Sequence, residues 1–209
     1  MLQATVDYKR RKSADKIVHV NFYKYLFYST APGLLSIRAG SLLRNSGGVL
    51  RNVQRVLVHP NYNSARSVSD IALLQLSSPL ELNNSTIRAV PLASQPLPGR
   101  TPIQVSGWGN IRTRGPLAAQ LKYINTRSIT NRNCRRLLSD ITNTVLCLRS
   151  NRGVGVCFGD SGGPAYNRNA DRLVGVVSFG VPPCGSNAPS GFGKISFHYA
   201  WLSRNADIQ

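Results

Sequence analysis

The chain has 209 residues, of which 42% are hydrophobic and 16% are charged, a globular composition that excludes a disordered chain and a coiled coil. No run of about 18 apolar residues occurs, which argues against a membrane-spanning helix. The 26 Lys and Arg residues outnumber the 8 Asp and Glu residues and give a net charge of +18. Twenty of these cations are Arg, which favours bidentate contacts with carboxylate, phosphate or sulfate, so an anionic partner is conceivable. Because the charges are scattered, they indicate a basic soluble surface rather than a nucleic-acid groove.

In chain order, residues 1–31 form a segment rich in aromatic and lysine residues that differs from everything after it. From Pro32 onward, short apolar runs are broken by Gly, Pro, Asn and Ser about every 8 to 12 residues, the pattern of an antiparallel sandwich or barrel. The runs predict strands over 34–39, 53–58, 71–76, 102–106, 121–128, 144–148, 173–179 and 191–196. A short helix is expected over 130–138, with Thr130 or Asn131 as its N-cap, and a terminal helix over 197–206.

The four cysteines are Cys134, Cys147, Cys157 and Cys184. Their even number favours two disulfides and an oxidising compartment, and the absence of a Cys-x-x-Cys pair argues against structural zinc. The residues after Met1 conflict with this, because they contain no apolar stretch of about 7 to 15 residues typical of a signal peptide.

The most informative segment is Cys157-Phe-Gly-Asp-Ser-Gly-Gly-Pro164. Ser161 stands among glycines, whose backbone can approach a substrate closely, and the amides of Gly159 and Ser161 are suited to form an oxyanion hole. A bare Gly-Asp-Ser-Gly run is equally compatible with a simple hairpin turn. Three further segments accompany it here: Asp70 just before an apolar run, Gly107-Trp-Gly109, and Val177-Ser-Phe-Gly180.

Together these segments resemble the chymotrypsin/trypsin family of serine endopeptidases, in particular its invertebrate digestive-type members. The resemblance runs from about Pro32 to Ile208 and implies an all-β fold of two antiparallel Greek-key β-barrels, the first incomplete, with a C-terminal helix. We expect 1–31 to be an atypical segment and 32–209 a protease domain, with the partial first barrel over about 32–95 and the second barrel and terminal helix over about 100–209.

The resemblance implies specific roles. Ser161 matches the nucleophile and Asp70 the carboxylate that orients the histidine, while Asp160 matches the residue that pairs with the N-terminus created on zymogen activation. The family's disulfides would be Cys134–Cys147 and Cys157–Cys184.

The same resemblance places Gly155 on the floor of the primary substrate pocket and Ser190 on its wall, with Ser178 and Gly180 at the entrance. Because neither Gly155 nor Ser190 is charged, the pocket is expected to reject Arg and Lys and to accept large apolar side chains. A small-residue preference is the alternative, should a loop side chain fill the pocket.

The chain departs from the family at the catalytic histidine. The family's Ala-Ala-His-Cys segment and its activation segment are both missing. His59 is expected in a surface loop and His198 in the terminal helix region. His19, 51 residues before Asp70, lacks the flanking family residues and is a weak candidate. The catalytic base is therefore left unassigned, and the chain as written is expected to hydrolyse peptides hardly at all.

Two interpretations remain open for function. The first is a secreted, monomeric serine endopeptidase acting on polypeptides, whose recorded sequence has lost its histidine segment through truncation or a wrong first exon. The second is a non-catalytic homologue that binds an anionic partner, such as an acidic glycan, through its basic surface. No cofactor, metal, nucleic acid or membrane partner is expected.

Overall fold

A computed structural model of the chain describes residues 34–151 and 153–206 with their side chains, together with the backbone of two strands, β1 (Thr5–Val6) and β2 (Ser13–His19). Three further strands follow in the N-terminal half: β3 (Ser36–Ala39), β4 (Val49–Val58) and β5 (Ala72–Glu81). These five strands form one antiparallel sheet in the order β1-β2-β5-β4-β3. Over the described residues this sheet is open and does not close into a barrel.

The second half of the chain forms a closed six-stranded barrel in the order β10-β11-β8-β7-β6-β9. Its strands are β6 (Pro102–Gly107), β7 (Lys122–Ile129), β8 (Val145–Leu148), β9 (Pro164–Asn167), β10 (Arg172–Phe179) and β11 (Ser190–Lys194). Every pairing in it is antiparallel. Closure leaves no free strand edge in this half of the molecule.

Two helices complete the described fold. The short α1 (Asn131–Cys134) begins at Thr130, whose hydroxyl accepts a hydrogen bond from the amide of Asn133 at 3.2 Å, as an N-cap does. The terminal α2 (Ile195–Asn205) buries Ile195 and Leu202 against Ile71, Leu173 and neighbouring residues of both halves. The terminal helix therefore helps to hold the open sheet against the barrel. No helix in the described residues has the length and apolarity needed to span a membrane.

The strands expected from the sequence are all present, with shifted ends. Strand β4 begins at Val49 rather than residue 53 because it pairs with β3 from Ala39↔Val49 onward. Strand β5 continues through Pro79 to Glu81, where it pairs with β2. The sequence missed β9, which is only four residues long and has no apolar run, and it gave the segment 1–31 no strands. The helix expected over 130–138 is shorter, since single turns follow Cys134.

Candidate active site

Asp70 lies immediately before β5, at the margin of the open sheet that faces the barrel. Its side chain is only 5% exposed. Its Oδ2 accepts a hydrogen bond of 2.6 Å from the hydroxyl of Ser178, a residue of β10 that is also buried. A bond across 108 positions of sequence thus fixes the carboxylate of the first half against a strand of the second. This hydrogen bond fixes the position of the Asp70 carboxyl group.

Ser161 lies on a tight loop between Gly159 and Gly162, both of which have left-handed backbone conformations. Gly159 has φ +93°, and a Cβ there would lie 2.7 Å from Leu117 Cδ2. The loop is tied to β10, because Gly162 donates to the carbonyl of Val177 at 3.0 Å and Val177 donates to the carbonyl of Gly163 at 2.9 Å. Position 159 therefore needs glycine, both for its backbone conformation and for the space beside Leu117.

The Ser161 loop and the Asp70 margin face each other across a cleft of about 390 Å³ between the sheet and the barrel. Four residues for which the sequence predicted a catalytic or pocket role line this cleft together: Asp70, Ser161, Ser178 and Gly180. Its apolar lining includes Val156, Phe158, Phe179, Val181 and Pro182. The disulfide Cys157–Cys184 joins the two loops that border the cleft, and Cys134–Cys147 forms a second bridge. Both pairings are those that the family resemblance implies.

Asp160 lies beside the cleft, on the barrel side of Ser161. Its two carboxylate oxygens accept hydrogen bonds from the backbone amides of Gly109, at 2.8 Å, and Cys157, at 2.9 Å. Burial raises its pKa above the ordinary range, although both amide bonds act to lower it. The carboxylate lies so close to Gly107 that a Cβ there would be 2.0 Å from Oδ1. Asp160 also lines a neighbouring cavity of about 290 Å³.

Gly155 and Ser190 are not among the residues that line the cleft; Gly155 lines the cavity next to Asp160. Ser150 lies next to both Gly155 and Ser190, and the sequence gave no reason to single it out. A Cβ on Gly155 would be 3.2 Å from Ser150 Oγ, and the hydroxyls of Ser150 and Ser190, both buried, are 3.0 Å apart. The group contains no charge.

The three histidines occupy different places. His59 and His198 do not line the cleft; their rings lie 5.1 Å apart, and His59 also packs on Trp201 at 4.7 Å. His19 ends β2, and its Cα lies opposite Ala72, two residues after Asp70; its side chain is outside the described residues. No group of three or more His, Cys, Asp or Glu side chains in the described part of the chain is arranged to hold a metal ion.

Comparisons with known proteins agree with this geometry. A family model described as Trypsin matches residues 29–202. The chain belongs to the trypsin family. It is 37% identical over 183 residues to Trypsin delta of Drosophila erecta, covering 85% of this chain and 71% of that protein. It is 33% identical to Trypsin, alkaline B of Manduca sexta, covering 81% and 68%, and 29% identical to Chymotrypsin-2 of Vespa crabro, covering 82% and 77%.

Membership of the trypsin family makes the chain a relative of serine endopeptidases and accounts for the barrel, the cleft and the disulfides together. Sequence reasoning missed Ser150, and it gave Phe179 no role of its own although it singled out the segment Val177-Ser-Phe-Gly180. Phe179 packs so closely on Gly191 that a Cβ there would be 2.2 Å from its ring. The contact depends on the pairing of Phe179 with Gly191 in the barrel, which the local motif does not reveal.

Proposed function

We propose that the cleft is the substrate site of a serine endopeptidase with an uncharged primary pocket that favours large apolar side chains. The observation that carries this proposal is that Ser161, Asp70 and Ser178 line one cleft, with Asp70 held by the hydroxyl of Ser178 at 2.6 Å. In serine endopeptidases the serine hydroxyl attacks the peptide carbonyl, a histidine takes its proton and returns it to the leaving amine, and a buried carboxylate orients that histidine. Ser161 and Asp70 are assigned the first and last of these roles.

The amides of Gly159 and Ser161 are assigned to the oxyanion hole. During acyl transfer, negative charge develops on the carbonyl oxygen, and two fixed backbone donors stabilise it without rearrangement. The left-handed conformation of Gly159 supports this assignment, because a side chain at that position would be strained and would contact Leu117.

The preference for apolar residues follows from the lining of the cleft. Val156, Phe179 and Val181 supply apolar surface. The group formed by Gly155, Ser150 and Ser190 carries no charge. A substrate guanidinium buried here without a carboxylate would cost several kcal/mol. We therefore assign cleavage after Phe, Tyr, Leu or Met rather than after Arg or Lys.

Asp160 is assigned to pair with a newly created N-terminus. The raised pKa of its carboxyl group and the adjoining cavity of about 290 Å³ support this role, because a buried carboxylate gains most from a cationic partner. An ammonium group in this cavity would return the pKa of Asp160 towards its ordinary range and would fix the loop that carries Gly159.

The rate of hydrolysis depends on a catalytic base that takes the proton of the Ser161 hydroxyl. None of the three histidines stands in the family's Ala-Ala-His-Cys segment, so we expect this chain to hydrolyse peptides slowly. His19 is the alternative base, since β2 brings its backbone opposite Ala72 beside Asp70.

A fluorophosphonate probe, which reacts with an activated serine, tests the proposal. We expect labelling of the purified chain to equal that of Ser161→Ala, because the family's histidine segment is missing and a serine hydroxyl without a general base is a poor nucleophile near neutral pH. His19→Ala is the matched variant. Labelling that requires Ser161 and disappears in His19→Ala would contradict slow hydrolysis and assign His19 as the base. Specific labelling of a different serine, equally strong in wild type and in Ser161→Ala, would show that the nucleophile is not Ser161.

The second candidate function is a homologue without catalytic duty that binds an anionic partner. The excess of arginine favours it, because Arg88 is the one arginine that forms an ion pair with a carboxylate among the described residues. The two disulfides support a secreted, extracellular location for either function, and a monomer is the proposed state.

A further inference from the structure

A basic groove lies on the barrel, away from the catalytic cleft. It has a volume of about 780 Å³ and runs between the turn at Gly99, the end of β7, helix α1 and the segment around Pro189. Three arginines from three parts of the chain line it: Arg100, Arg127 and Arg149. All three are exposed. We call this feature the arginine groove.

Backbone pairing fixes the spacing of these arginines. The amide of Arg149 donates to the carbonyl of Arg127 at 3.0 Å, and the amide of Arg100 donates to the carbonyl of Ser128 at 2.7 Å. Arg127 lies in β7 and Arg149 directly follows β8, whereas Arg100 lies in a turn and has a left-handed backbone with φ +67°. The two hydrogen bonds hold the backbones of the three arginines next to one another. One guanidinium is further oriented, since Arg127 Nη1 donates to the carbonyl of Arg100 at 3.1 Å.

No carboxylate compensates this row of charge within the described part of the chain. Five acidic side chains are described, and none lines the groove: Asp70, Glu81, Asp140, Asp160 and Asp171. Three of them bond elsewhere, to Ser178, to two backbone amides and to Arg88. The like charges of these neighbouring arginines repel one another. Arg132 and Arg136 add positive charge next in sequence to the lining residues Asn133 and Leu137. A bound polyanion would remove this repulsion.

We propose that the arginine groove binds a linear sulfated polysaccharide. Arginine forms paired hydrogen bonds with the oxygens of an oxyanion, and a row of three matches an anionic chain rather than a single ion. Among the described residues, those that line the groove include no aromatic side chain on which a nucleic-acid base could stack. It does contain Leu137 and Pro189 as apolar surface, with Thr130, Asn133 and Asn187 as partners for sugar hydroxyls. The inference does not depend on catalysis at Ser161.

The test is binding of a size-defined heparin hexasaccharide by calorimetry at 150 mM NaCl. The groove variant is Arg100→Gln, Arg127→Gln and Arg149→Gln combined. Its matched control is Arg55→Gln, Arg66→Gln and Arg168→Gln combined, which removes the same charge from exposed arginines outside the groove. We expect the groove variant to bind about 30-fold more weakly than wild type and the control less than threefold more weakly.

Equal losses in the two variants would overturn the proposal, because they would show that net charge alone attracts the polymer. Tighter binding of a single-stranded oligonucleotide of equal charge than of heparin would also overturn it. Should the triple groove variant fail to fold, the three single variants replace it, each with an expected loss of about threefold, and the absence of a loss in all three would refute the groove.

Discussion

Ser190 and Ser150 are the residues through which the specificity of the proposed pocket can be changed. Their hydroxyls are 3.0 Å apart and buried, so a carboxylate at position 190 would find a hydrogen-bond donor in Ser150. Gly155 is less suitable for substitution, because a Cβ there would lie 3.1 Å from the backbone of Gly185. Position 190 therefore accepts a new charge more readily than position 155.

We predict that Ser190→Asp creates binding of benzamidine, a flat amidinium probe, at least tenfold tighter than wild type. The reason is that a buried cation binds only where a carboxylate neutralises it. Isothermal calorimetry measures the affinity, and Ser190→Asn provides the uncharged control of the same shape. Equal affinity in the Asp and Asn variants would show that position 190 does not face the bound side chain.

We expect His198 to make the free energy of unfolding depend on pH. Its side chain is 2% exposed, its Nδ1 lies 2.8 Å from the carbonyl oxygen of Lys194, and His59 packs against its ring. Burial lowers its pKa to about 4, with smaller contributions in the same direction from His59 and Lys194, while the bond to the Lys194 carbonyl opposes the shift. The unfolded chain, with an ordinary pKa near 6.5, thus binds more protons than the folded chain between these values.

We predict that the free energy of unfolding falls as the pH drops from 6.5 to 4, with His198 contributing about 3 kcal/mol at most to the loss. The contribution is present above pH 6.5 and is gone below pH 4. Urea unfolding of wild type and His198→Gln at pH 7, 5.5 and 4 measures it as the difference in slope. Parallel curves for the two proteins would show that His198 does not titrate differently on folding.

At the scale of the element, the two disulfides have different neighbours. Cys134–Cys147 ties α1 to β8 in a small buried cluster with Ile141 and Val145. Cys157–Cys184 joins the Ser161 loop to the loop between β10 and β11, and both of its cysteines border the cleft. The first bridge is thus a constraint on the fold, whereas the second is also a constraint on the site.

We predict that removing either disulfide by a double Cys→Ala substitution lowers the free energy of unfolding by about 3 kcal/mol, from the entropy of the released loop. Only the loss of Cys157–Cys184 should also weaken binding of a Phe-containing peptide to the cleft. Urea unfolding and fluorescence titration of the two double variants separate these effects. A peptide affinity that falls equally in both would mean that general loosening, not the cleft loops, governs binding.

The elements also show what the sequence could predict. Five of the six barrel strands were predictable because each contains a short apolar run, as at Pro102–Gly107, whereas β9 has none. Strand β5 was expected over 71–76, but pairing with β2 carries it to Glu81. Tertiary pairing decides such ends, and the local pattern does not contain it.

The site was predictable only where a motif is local. The Gly-Asp-Ser-Gly-Gly-Pro run indicates Ser161 and Gly159 on its own, and Asp70 is recognisable from the apolar run that follows. The bond from Ser178 to Asp70 spans 108 positions, so the sequence assigned Ser178 to the pocket entrance and gave no hint of its contact with the carboxylate. Ser150 lies outside every motif and enters the site only because the barrel closes.

At the scale of the whole molecule, the net charge of +18 is a source of self-repulsion. Seventeen of the twenty arginines have described side chains, and Arg88 is the one among them that pairs with a described carboxylate. Repulsion between exposed charges acts over the Debye length, about 30 Å at 0.01 M salt and about 10 Å at 0.1 M. In dilute buffer it therefore reaches across most of the molecule and opposes the compact state.

We predict that raising NaCl from 10 to 300 mM stabilises the protein by about 1 kcal/mol, which raises Tm by about 3 °C for a chain of this size. Differential scanning calorimetry at several NaCl concentrations measures the slope. The combined variant Arg55→Gln, Arg66→Gln and Arg168→Gln carries three fewer positive charges and should show a smaller slope, since fewer like charges remain to be screened. A Tm that falls with salt in wild type would show instead that attractive ion pairs outweigh the repulsion. An unchanged slope in the variant would place the responsible charges elsewhere on the surface, and the arginine groove, with its three uncompensated guanidinium groups, would then be the first region to substitute.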